Sequence, residues 1–100
     1  MAGLDKEARS NIEDTVDLLL KDPKKYEVSY SEALKKLGIE PSLETVLSFS
    51  SGYILGLTAG HIISRYKRIM KIEEVTEFLN LMKRRAWELR QAFIGTRIEE

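Results

Sequence analysis

Cysteine is absent from this chain, which excludes disulfides, thiolate nucleophiles and cysteine-ligated metals. A single histidine, His61, leaves any metal site to carboxylates, and the Glu-x-x-His pair of helical-bundle metal centres does not occur. There is no phosphate-binding glycine loop, no Gly-x-Ser-x-Gly elbow and no zinc-ligand spacing. No enzyme activity, metal or cofactor is therefore expected. Amide side chains are nearly missing too: Asn11, Asn80 and Gln91 stand beside 16 basic and 16 acidic residues. That balance resembles the composition of heat-adapted proteins. The net charge of zero argues against a general nucleic-acid binder. Met1 to Lys21 has no long apolar stretch behind a basic start, so no secretion signal is expected and the expected location is the cytoplasm.

Proline occurs only at Pro23 and Pro41, and strand-like alternation is negligible. With 100 residues, the expectation is one all-α domain, a small four-helix unit spanning 1–100. The first helix is expected over about 5–21. Leu4, Ala8, Ile12, Val16, Leu19 and Leu20 recur in steps of three and four, and Asp5 is an N-cap candidate. Asp22-Pro23 ends it. Ser29 with Glu32 reads as a capping box for a short helix over about 30–37, closed by a left-handed Gly38. Ser42 caps a third helix over about 43–69. A fourth spans about 72–94, stopped by Gly95. Between them Arg65, Lys67, Arg68 and Lys71 give way to Glu73, Glu74 and Glu77, as suits two helix dipoles meeting at a turn.

The third helix carries the most informative feature. Ser48, Gly52, Gly56, Gly60 and Ser64 place a small residue at every fourth position, forming one bare inclined row. Three interior glycines cost about 2–3 kcal/mol against alanine, so a compensating gain is expected. Close approach of another helix supplies such a gain. Thr45 to Ser64 is also free of charge for 20 residues, long enough to span a bilayer. About half of that run is Ser, Thr, Gly, Tyr or His, however, and the other long helices are amphipathic. Membrane insertion is thus the third reading.

The fourth helix repeats Ile72, Val75, Leu79, Met82, Ala86, Leu89 and Phe93 in heptad steps, an apolar seam widened by Phe78. The two long helices, about 40 and 33 Å at 1.5 Å per residue, match a whole 100-residue globule in length. Two short helices leave apolar surface uncovered, so a homo-oligomer is expected, with a dimer favoured. The leading functional expectation is a helical assembly protein that self-associates through the glycine row or the seam. The alternative is a nucleic-acid-associated protein using Lys83, Arg84, Arg85 and Arg90, with Trp87 stacking on bases. Against it, residues 65–100 carry nine basic and six acidic side chains, while residues 1–44 carry seven and ten. The acidic half is expected to dock on the basic half, with Trp87 as a buried anchor. His61 is expected to be a core histidine bonded to Ser50, Thr58 or Ser64.

Overall fold

Four helices make up nearly all of the computed structural model, which describes residues 3–98: α1 (Lys6–Lys21), α2 (Pro23–Lys36), α3 (Leu43–Tyr66) and α4 (Ile72–Ile98). The protein is all-α, with no strand among the described residues. Met1, Ala2, Glu99 and Glu100 lie outside them.

Asp5 caps α1 as expected, accepting the Ala8 N–H at 2.7 Å. The second helix differs. It begins at Pro23, seven residues earlier than the capping-box reading, and Ser29 and Glu32 are exposed positions inside it. The physical reason is that proline ends one helix and suits the first position of the next, where its missing N–H costs nothing. Asp22 caps that start through the Lys25 N–H. Gly38 closes α2 in the left-handed region, at φ 78°, with the Ile39 N–H returning to the Leu34 carbonyl. Ser42 and Thr45 form a reciprocal cap on α3.

The turn between the long helices falls at Lys67 to Lys71, and α3 stops three residues short of Ile69. Lys67 adopts a left-handed conformation, φ 58°, and its N–H bonds the Ile63 carbonyl. Gly95 does not stop α4, which continues to Ile98. Phe93 and Thr96 on either side of it are buried, so packing outweighs the roughly 1 kcal/mol helical cost of glycine.

Contacts along the chain define the architecture. The Leu4 N–H donates to Glu77, and Arg85 reaches Glu13 and Asp17, with partners 68 to 73 positions apart. Arg97 stands 3.4 Å from the buried Glu27. Thus α1 and α2 follow each other end to end beside α4, as one rod broken at Asp22-Pro23. Both run antiparallel to α3: Asp5 meets His61, and the Tyr30 ring packs on Phe49 at 5.1 Å. At any level the bundle is three rods thick. The Cα envelope measures 45 × 26 × 17 Å, and the radius of gyration, 14.3 Å, exceeds the roughly 13 Å of a compact chain this long.

Three rods cover only one side of each helix. On α3 the covered row is Val46, Ser50, Ile54, Thr58 and Ile62, all buried. Its hydroxyls are satisfied locally: Ser50 donates to the Val46 carbonyl and Thr58 to the Ile54 carbonyl, both at 2.9 Å. On α4 the core face is Phe78, Leu81, Met82, Leu89 and Phe93, with the buried Glu74 at its start. The heptad seam holds for Met82, Leu89 and Phe93 but fails at its beginning. Ile72 is 81% exposed and Leu79 56% exposed, with Val75 and Ala86 half-buried. The first rod crosses that part of α4 on the Phe78 side of the seam, which the sequence period does not specify.

Candidate functional site

The glycine row lies on the side of α3 away from the core. A step of two residues turns a helix by about 200°, so Ser48, Gly52, Gly56, Gly60 and Ser64 stand opposite the buried row. All five are exposed. A Cβ placed on Gly52, Gly56 or Gly60 meets no atom within 4 Å. The row is therefore no crossing point within the subunit: α1, α2 and α4 all pack on the other side. Tyr53, Leu57 and Ile63 edge the row and are each about half exposed. Only 28% of the most apolar stretch of α3 is buried, so most of a helix apolar enough for a core is left uncovered by the subunit.

The basic helix is largely occupied. Arg85 bonds Glu13 at 2.6 Å, Asp17 at 2.7 Å and Glu88 at 2.6 Å, and these carboxylates push its guanidinium pKa further up. Arg90 pairs with Glu44 at 2.6 Å. The docking of acidic on basic halves occurs within the subunit. Trp87 is not its anchor, being 68% exposed, because it projects from the face of α4 that no rod covers. Lys83 and Arg84 are also exposed. Of the five candidate nucleic-acid contacts, three are thus unengaged among the described residues, and Arg85 and Arg90 are held by carboxylates.

His61 has a partner the sequence did not reveal. Its Nε2 lies 3.0 and 3.3 Å from the two oxygens of Asp5, which caps α1 from the other end of the chain. Tyr66 donates its hydroxyl to the same carboxylate at 2.6 Å. The Tyr66 bond, seconded by the Ala8 N–H and His61, holds the Asp5 carboxyl well below the usual carboxylate range, against a burial effect of opposite sign. Being ionised, Asp5 only accepts, so Nε2 carries the proton. A cleft of about 280 Å³ opens beside His61 between α1 and α3, walled by Ile12, Leu18, Ile54 and Leu57. No group of three or more metal-ligating side chains occurs among the described residues. The cluster ties α1 to the end of α3, and it makes a prediction. Asp5→Ala removes a helix cap and two side-chain bonds, and costs about 1–2 kcal/mol. Because the folded carboxyl is shifted down, its contribution is present above the ordinary carboxylate pKa and fades as pH falls below it. Urea unfolding at pH 7 and pH 3 checks this: the difference between native protein and variant shrinks at the lower pH.

Neither a protein-family model nor a curated protein nor a solved structure matches the chain.

Proposed function

We propose that this protein is a non-enzymatic helical assembly protein that self-associates through the outer face of α3. The observation that carries the reading is the open space over Gly52, Gly56 and Gly60. Three glycines in a solvated helix cost about 2–3 kcal/mol and return nothing within the subunit. Alanine at each site fits the monomer and is the better helix former. The gain has to come from a body that approaches the bare backbone closely, as helices do in small-xxx-small contacts. The face is uncharged from Thr45 to Ser64, so covering it strands no ionic group. Half-exposed Tyr53, Leu57 and Ile63 add apolar area to bury.

Exposed Trp87, one turn from Lys83 and Arg84, favours nucleic-acid contact as the second reading. The two readings respond differently to salt. Light scattering on a sizing column, in detergent-free buffer at low and high salt with absorbance at 260 and 280 nm, separates them. The assembly reading expects a discrete oligomer whose mass is unchanged by salt and which carries no nucleic acid. A monomer with salt-releasable 260 nm absorbance moves the function to α4. Material soluble only in detergent assigns α3 to a membrane.

A further inference from the structure

The polar groups along the cleft between α1 and α3 are nearly all hydrogen-bond acceptors. Thr15 donates its hydroxyl proton to the Asn11 carbonyl at 2.7 Å, and Thr58 donates its own to the Ile54 carbonyl at 2.9 Å. A hydroxyl that has given its one proton to the backbone can only accept. His61 turns its Nε2–H to Asp5, which is no part of the cleft wall. Its other nitrogen, Nδ1, has no hydrogen-bond partner among the described residues and is not sealed from solvent. With the proton on Nε2, Nδ1 of the neutral ring is an acceptor. Asp14 is the only charged residue of the wall, exposed and without a partner among the described residues. The Asn11 amide alone brings donors.

Thr58 and His61 stand one turn apart on α3, as Asn11 and Asp14 do on α1. Such a set of acceptors, one of them an anion and none opposed by a cation, fits a positively charged group with several N–H donors. A primary ammonium has three. The remaining wall is apolar. Ile12, Leu18, Ile54 and Leu57 enclose about 280 Å³, and Leu18 and Leu57 continue into a second hollow of about 130 Å³ against Tyr26, Tyr30 and Tyr53. That continuation gives an apolar tail somewhere to lie. The two ends differ in charge. Lys25 already holds its ammonium over the Tyr26 ring, 5.6 Å from the centroid, so the tyrosine end has a cation and the His61 end has none. We propose that this cleft binds a primary alkylamine, its ammonium held by His61 Nδ1, Thr58 and the charge of Asp14, and its tail directed towards the tyrosines. The proposal goes beyond the assembly reading and does not depend on it.

His61 is the only histidine, so its imidazole gives a single set of ring signals in the NMR spectrum of the nitrogen-15-labelled protein. Hexylammonium at pH 8 is expected to shift the Nδ1 resonance saturably, with a dissociation constant of about 1 mM, reasonable for so few ligand atoms. Methylammonium has the head without the tail, hexanol the tail without the charge, and hexanoate the opposite charge. Each is expected to bind at least about fivefold more weakly. Asp14→Asn keeps the shape of an exposed side chain, and helical circular dichroism verifies its fold. It is expected to weaken hexylammonium about fivefold and leave hexanol unchanged. Equal binding of hexanol and hexylammonium would reveal an apolar hollow without amine recognition and overturn the proposal. Preference for hexanoate, an unaltered affinity in Asp14→Asn, or no movement of the His61 signals by hexylammonium would overturn it as well. None of these readings uses the native mass, so the assembly reading can fail while the amine site stands, and the reverse.

Discussion

Gly56→Leu is expected to split the assembly into monomers that are at least as stable as the native subunit. Both halves of that outcome follow from the position of the residue. A side chain at 56 points into open space in the subunit, so leucine meets nothing there. It also replaces a poor helix former with a good one, a gain of about 0.5–1 kcal/mol in a solvated helix. At a close helix crossing the same leucine is an overpacking substitution, costing about 1–3 kcal/mol, and a two-fold axis presents it twice. Doubling that range weakens association by roughly 30-fold at least, at 1.4 kcal/mol per tenfold. Sedimentation or light scattering across a concentration series reads the association, and urea unfolding at low concentration reads the subunit. Were the variant to keep the native mass, the outer face of α3 would not be the interface. Were it to unfold, the row would be doing something inside the subunit after all.

The largest stability loss is expected at the α3–α4 turn. Glu74 is only 3% exposed, and its carboxylate accepts two bonds from Arg68, at 2.8 and 3.0 Å, and one from the Lys71 N–H at 2.8 Å. The Arg68 guanidinium, despite the opposing effect of burial, pushes the Glu74 carboxyl down to about 2. Arg68→Ala leaves a buried charge with one backbone partner. The expected cost at pH 7 is about 3 kcal/mol, at the low end for broken buried pairs because the arginine side chain is itself a third exposed. The pH dependence differs between the two proteins. In the native chain the folded carboxyl titrates below its ordinary value, so the pair contributes fully above about pH 4.5 and progressively less towards pH 2. In the variant the guanidinium's effect is gone, and only the Lys71 N–H bond and charge still lower the carboxyl against burial, so the downward shift shrinks and the variant's stability varies less with pH than the native protein's. Replacing both residues by leucine is expected to restore most of the loss at pH 7. A double variant as unstable as Arg68→Ala would mean that Arg68 acts through its stacking on Tyr66, 5.1 Å away, rather than through Glu74.

Elements governed by neighbours in the chain were legible in the sequence. Asp5 and Ser42 as caps, Gly38 as a left-handed terminator, the turn marked by opposing charges and the apolar face of α1 all depend on residues within one or two turns. Pro23 misled because its local meaning is double: it forbids the helix before it and favours the helix after it. Gly95 misled because its helix-breaking tendency, worth about 1 kcal/mol, is smaller than the burial of Phe93 and Thr96 around it.

The sequence by itself determined the helical class, most of the caps and turns, the absence of cysteine, and the existence of an unusual bare row on one helix. Periodicity shows which residues share a face; it does not say which face meets a neighbour, because that depends on where the other rods pass. Only the tertiary structure decided that the glycine row looks outward while Val46 to Ile62 look inward, and that Ile72 and Leu79 drop out of the core. It alone joined Asp5 to His61, and Arg85 to Glu13 and Asp17, across intervals of 56 to 72 residues. Pairings of that range follow from how rods stack along one another, a property of the whole chain that no local spacing encodes.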